Sequence, residues 1–231
     1  MSFIIMPALL ALTFIAAVTD WVAVYKGWRT VEIIAKPGTM VFLFAWLAYT
    51  SRFENLALVF FGAGVLFSLA GDMFLLLSDR WFIPGLVAFL LAQIMYIIGF
   101  NLPLPEVSLL WLLLLAVALG VSAARVLRRI VDSLRAKSLG TLILPVIVYG
   151  TVITLMLLSA MLTLSRLDWQ LLYAILVSVG ALLFFFSDVI LAWNKFVNPI
   201  KNGRVVNMMA YHVGQIAIII GVVYHFGPYL R

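Results

Sequence analysis

The sequence predicts an all-α protein, a polytopic membrane bundle of eight transmembrane helices. Three observations predict it. Of 231 residues, 66% are hydrophobic and 10% are charged, against roughly half and a quarter in a soluble domain. The apolar residues fall into eight runs, each near the roughly 20 residues that a membrane helix requires. Runs such as Leu109–Leu115 are apolar without alternation, which a transmembrane β-strand does not allow. A chain of this size cannot hide so much apolar surface in one water-soluble core. A soluble enzyme, a disordered chain and a nucleic-acid-binding module are therefore excluded. The net charge of +6 reads as a topology signal. The absence of cysteine removes disulfides, thiolate nucleophiles and zinc–sulfur sites.

The spans follow in order. The first, 3–25, lacks a basic leader and carries Asp20 where a cleavage site would lie, so it reads as a span and not as a cleaved signal peptide. The second, 33–51, opens on Lys36-Pro37. The third, 55–78, carries Gly71-Asp72, and the fourth, 81–101, carries Gln93. The fifth, 105–124, runs into a basic loop over Arg125–Lys137. The sixth, 141–163, opens on Pro145 and carries Tyr149. The seventh, 169–193, carries Asp188 and is closed by Asn194-Lys195. The eighth, 204–226, carries Tyr211, His212 and Gln215. Almost nothing remains for an extramembrane domain, so 1–231 reads as a single membrane domain.

Twelve of the fifteen basic residues fall on the side that joins spans one to two, three to four, five to six and seven to eight. Arg52, Arg166 and Arg231 fall on the other. Positive-inside bias places the first side in the cytoplasm and both termini outside, in a cell inner membrane. Spans three and seven share a pattern, glycine eight residues before aspartate (Gly64 and Asp72, Gly180 and Asp188) with a small residue just before each aspartate. Spans four and eight share Gln93 and Gln215, each six residues before a glycine. An offset of four spans keeps orientation, so the halves, about 1–104 and 105–231, are expected to form a parallel 4 + 4 repeat.

Charged groups at membrane depth are costly and usually face the interior. Asp72 lies about 9 Å from the cytoplasmic end of its span at 1.5 Å per residue. Asp188 and Asp20 lie at similar depth, Tyr149 and His212 slightly deeper, and Gln93 and Gln215 nearer the midplane. Lys36, Asn194 and Lys195 stand at the same end. The outer half has nothing comparable, so a polar cavity open to one side is expected, and not a through-pore. Plainer roles stand beside these: interhelical hydrogen bonds for Asp72, Asp188, Gln93 and Gln215, snorkelling for Lys36, an interfacial position for Asp20 and packing for His212 and Tyr149. There is no nucleophile elbow, and two separated histidines do not make a three-histidine metal site. No metal or cofactor is called for. What remains is a carboxylate pair; if apposed, one member stays protonated, which is the equipment of acid/base chemistry.

Lys36-Pro37, Gly71-Asp72, Ala92-Gln93-x-x-Tyr96, Pro145-x-x-x-Tyr149, Ser187-Asp188-x-x-Leu191-Ala-x-Asn194-Lys195-Phe196 and Tyr211 four before Gln215 together resemble the YhhN family, over about 33–226. The resemblance implies an eight-span lysoplasmalogenase, which hydrolyses the vinyl ether of a lysophospholipid to a fatty aldehyde and a glycerophospho-headgroup. It implies Asp72 and Asp188 as catalytic residues, one as protonated acid and the other stabilising the cation and activating water. Lys36 and Lys195 would hold the phosphate. Asn194, Tyr149, His212 and Gln215 would orient water and the glycerol hydroxyl, with Gln93 and Asp20 completing the substrate-binding set. Gln93 stands where relatives commonly carry histidine, and His212 where they commonly carry tyrosine. The lipid bilayer is the remaining partner, with no nucleic acid; oligomeric state is open. A hydrolase of another lysolipid, a transporter using the same polar cavity, and a lipid-binding sensor are the competing readings.

Overall fold

The structure, a computed structural model, describes residues 2–227. Arg231, counted above among the outer basic residues, lies outside them. Among the described residues the chain forms eight long α-helices, all long and apolar enough to cross a membrane: α1 Ser2–Lys26, α2 Arg29–Ser51, α3 Leu56–Leu76, α4 Phe82–Phe100, α5 Leu109–Ala136, α6 Ile143–Leu162, α7 Leu171–Ala192 and α8 Gly203–Phe226. The membrane dictates this: backbone groups without water must be satisfied within the segment.

Local signals set several boundaries. The α2 helix stops where Arg52 and Phe53 take left-handed backbone angles, and Asn55 restarts the chain by accepting a hydrogen bond from the Ala57 N–H at 2.8 Å, an N-cap for α3. At its basic end α7 widens into one π-helical turn, Trp193–Val197. Its last carbonyls are claimed from α5: Ser133 and Lys137 both donate to the Phe196 carbonyl.

One element departs from expectation. The residues Arg125–Lys137, expected as a basic loop, are for the most part the last turns of α5. The stretch is amphipathic. Ile130, Val131 and Leu134 are buried while Arg125, Arg128, Arg129 and Arg135 face outward, and Ile130 and Leu134 pack with Val146 and Phe196. Hydrophobicity alone ended the span where the arginines begin; the helix continues because its apolar stripe still has a partner.

Helices α1 with α2, α3 with α4 and α7 with α8 pack as close pairs, and α8 also touches α1, α2 and α3. The core between them is filled by Trp46, Phe61, Tyr96, Phe100, Met156 and Phe184. Without a hydrophobic drive between helices in lipid, small residues govern close approach. A Cβ on Gly180 would stand 2.8 Å from both the Gly214 carbonyl oxygen and the Ile218 nitrogen, so α7 and α8 touch backbone to backbone. At the end opposite the basic loops, Arg166 donates to the Phe100 carbonyl and to Asp168, and its guanidinium holds the Asp168 carboxyl below the usual carboxylate range. Helix α5 is the exception to the packing: none of its residues from Leu109 to Arg129 is buried.

Candidate active site

A polar cavity of about 450 Å³ opens between α2, α3, α7 and α8. Asp72 of α3 and Asp188 of α7 both line it. Each is held differently. The Lys36 ammonium lies 3.1 Å from Asp72 Oδ1, and the Tyr211 hydroxyl donates to Asp72 Oδ2 at 2.8 Å. Asp188 has neutral donors: the Tyr149 hydroxyl at 2.5 Å and the Gln93 amide at 3.2 Å, both on Oδ2. Gln93 also donates to the Tyr149 oxygen at 2.8 Å, which closes a triangle among α4, α6 and α7.

Helical spacing explains the rest of the scaffold. Ser68 and Asp72 lie one turn apart on α3, and Tyr211 and Gln215 lie one turn apart on α8, so two rungs join the helices. The upper rung is Tyr211 to Asp72; in the lower, the Gln215 amide donates to Ser68 at 2.9 Å and accepts from the Tyr96 hydroxyl at 2.6 Å. Phe89 and Phe184 meet the Tyr211 ring edge-on, which fixes the tyrosine against the aspartate.

The mouth of the cavity is charged. Glu32 takes Arg204 at 2.7 Å and Arg29 at 3.2 Å, and Arg29 also donates to the Leu76 carbonyl. Lys195 meets Asp79 at 2.8 Å across the opening, with its ammonium 4.6 Å from the centre of the Phe82 ring. Asn194 lines the same wall but spends its amide oxygen on the Ile200 N–H at 2.7 Å, bracing the turn after the π segment.

The structure thus gathers Lys36, Asp72, Asp188, Asn194 and Lys195 on one cavity, with Gln93 and Tyr149 bonded to Asp188. Gln215 sits in the knot with Ser68 and Tyr96, away from the cavity lining. His212 lies one residue round α8 from Tyr211, about 100° at 3.6 residues per turn, and points to α1. Its Nδ1 accepts from the Trp21 indole at 3.1 Å and lies 4.0 Å from Asp20. Asp20 is fully buried, with neither oxygen hydrogen-bonded among the described residues. Neither residue lines the cavity. Residues that sequence reasoning passed over are Arg29, Glu32 and Arg204 at the mouth, Asn207 in the wall, where it donates to the Ser187 carbonyl at 2.8 Å, and Ser68 in the knot beneath it. Tyr211, outside the expected site set and read otherwise as a motif or packing tyrosine, is a direct partner of Asp72. Its spacing of one turn from Gln215 carried that signal.

This arrangement sets one ion-paired carboxylate and one neutral-donor carboxylate on the wall of one cavity, with Arg29, Arg204 and Lys195 at its mouth. A family model described as the YhhN family matches residues 31–222, a stretch that contains both cavity aspartates, their partners and every mouth residue named except Arg29. The chain belongs to the YhhN family. Among curated relatives it is similar to lysoplasmalogenase TMEM86B of Homo sapiens, 30% identical over 137 residues, covering 59% of this chain and 52% of the relative. It is similar also to lysoplasmalogenase TMEM86B of Sus scrofa, 30% identical over 158 residues, 68% of this chain and 61% of the relative. The Mus musculus protein of the same name is 33% identical over 79 residues, 34% of this chain and 30% of the relative. The chain therefore spans less than two thirds of each of these relatives. No solved structure matches it. As a YhhN-family member it is a multi-pass membrane protein by its eight apolar helices.

Proposed function

We propose that this protein hydrolyses the vinyl ether bond of lysoplasmalogens, releasing a fatty aldehyde and a glycerophospho-headgroup, with Asp72 and Asp188 as the catalytic residues. The names of the relatives support the substrate class. The observation that carries the mechanism is that both carboxylates line one cavity yet differ in partners: Asp72 has a cation, Asp188 has only neutral donors.

That difference supports a division of roles. The Lys36 ammonium and the Tyr211 hydroxyl favour an ionised Asp72. Asp188 has no cation at hydrogen-bond range among the described residues, and both its donors sit on Oδ2, leaving Oδ1 to carry a proton. The Asp188 proton goes to the β-carbon of the vinyl ether, and the π electrons form the new C–H bond. The resulting oxocarbenium ion is stabilised by the Asp72 carboxylate. Water adds to the cationic carbon and gives its proton to a carboxylate. That carboxylic acid then protonates the glycerol oxygen as the hemiacetal C–O bond breaks, and the hemiacetal hydroxyl returns its proton to the carboxylate as it becomes the aldehyde carbonyl, which restores the acid. Arg29, Arg204 and Lys195 at the mouth meet the phosphate. Lys36, committed to Asp72, serves instead as counter-ion. Positive-inside bias puts this mouth at the cytoplasmic face of the membrane.

Detergent-purified protein incubated with lysoplasmenylethanolamine, with aldehyde followed by mass spectrometry, tests the reading. Aldehyde that disappears in Asp188→Asn supports it. Absence of aldehyde from the native chain, or fatty acid release from 1-acyl lysophosphatidylethanolamine instead, overturns it.

A further inference from the structure

A second cavity, of about 360 Å³, lies between α5 and the α6–α7 face, within the size range of small-molecule sites. Its lining spans α5 from Ala116 to Ile130, about 21 Å along the helix at 1.5 Å per residue. It is apolar almost throughout. Thr151 and Thr154 line it, but their hydroxyls are spent on the carbonyls of Ile147 and Gly150 in their own helix. The remaining polar lining residues are Tyr149 and Asp188. Asp188 lines the polar cavity too, so the two cavities share that residue.

We propose that this groove is the binding site for the single hydrocarbon chain of a lysolipid, which enters sideways from the bilayer between α5 and α6. The assignment rests on the vinyl-ether reading above and extends it. Three features carry it. The groove is apolar where the other cavity is charged, which is the division of a one-chain amphiphile. The two meet at Asp188, where the bond between chain and glycerol has to lie. Finally, α5 has no buried residue from Leu109 to Arg129, so that wall of the groove is free to part on the lipid side, while its basic end stays anchored through Ile130 and Leu134.

Gly120 and Gly150 set the width. Both line the groove; a Cβ on Gly120 would meet nothing within 4 Å, and one on Gly150 would touch only Leu127, at 3.5 Å. Larger side chains at these positions fill the groove without disturbing packed backbone. They are specificity-determining positions for chain length.

The test is Gly120→Phe assayed with long- and short-chain lysoplasmenylethanolamines, with lipid-facing Val121→Phe as control. Gly120→Phe should lower kcat/KM for the long chain by about tenfold or more, because several methylenes lose their burial, and leave the short chain near native. Equal loss at both lengths, or loss at neither, overturns the proposal. A saturated-ether lysophosphocholine with a diazirine at the chain end gives a readout independent of catalysis. Label on 116–123 of α5 and 154–158 of α6, displaced by excess unlabelled lipid, supports the site. Label that falls elsewhere, or that excess lipid does not displace, overturns it. If the native chain yields no aldehyde while displaceable label maps to the groove, the chain site stands and the hydrolase reading falls.

Discussion

The Lys36 ammonium lies 3.1 Å from the Asp72 carboxylate, and both side chains are almost wholly removed from solvent. A lysine at the edge of a membrane span ordinarily reaches for headgroups. Here α2 turns it inward, because the residue sits on the helix face that carries Glu32, Thr39 and Met40, all buried. In the proposed mechanism Lys36 is the counter-ion of Asp72.

Removing only the cation strands the carboxylate. Lys36→Met should destabilise the protein by about 3–5 kcal/mol, the cost of an uncompensated buried charge. Adding Asp72→Asn should recover most of that loss, since neither charge remains. Thermal unfolding in detergent reads both. A Lys36→Met protein as stable as the native one would show the pair to be unimportant to the fold. Aldehyde release should be abolished in the single and the double variant alike.

Asp188→Asn should leave the fold intact, because an amide oxygen still accepts from Tyr149 and Gln93. Loss of a positioned acid costs about 10²–10⁴ in rate, and kcat and kcat/KM should fall together, as for a group that acts in the transition state. Tyr149→Phe should have a smaller effect on kcat, since Gln93 continues to hold Asp188. A Tyr149→Phe enzyme slower than Asp188→Asn would reverse the two roles.

The mouth residues should behave differently from the pair below. Arg204 is largely exposed, and Glu32 keeps Arg29 when Arg204 is lost. Arg204→Gln should therefore change stability by no more than about 1 kcal/mol. It should raise KM and leave kcat near native, with a further rise in salt as remaining charges are screened. Initial rates over a range of substrate and salt give the separation. A fall in kcat at constant KM would move Arg204 out of the headgroup rim.

The helices were legible because hydrophobicity and length are one-dimensional signals, and the two aspartates were legible because a carboxylate in an apolar run has few reasons to be there. What a side chain faces is not one-dimensional. His212 and Tyr211 are neighbours in sequence, yet α8 points one at Trp21 and the other at Asp72. Gln215 lies one turn further in and bonds Ser68 and Tyr96, a pairing that depends on the contact of α3 with α8. Arg29 and Glu32 precede the expected start of the second span at residue 33; α2 begins at Arg29, and both line the polar cavity.

The contact of α7 with α8 offers a last prediction. Tyr211 reaches Asp72 only if α8 holds its height and distance against α7, which carries Asp188. That distance is set where Gly180 meets Gly214. A methyl on Gly180 would stand 2.8 Å from the Gly214 oxygen and from the Ile218 nitrogen, atoms of backbone that cannot swing aside as a side chain does. Gly180→Ala should therefore cost about 1–3 kcal/mol, the range for overpacking a close contact. Gly38→Ala, where a Cβ meets nothing within 4 Å, should be neutral or slightly stabilising, since alanine favours the helix by about 1 kcal/mol. Thermal unfolding of the two variants side by side gives the comparison. The catalytic consequence separates from the thermal one: well below its melting temperature Gly180→Ala should still release aldehyde more slowly than the native protein, because the helices that bear Asp188 and Tyr211 have been pushed apart. Native rates at low temperature in a destabilised Gly180→Ala would show that the spacing of α7 and α8 serves the fold alone.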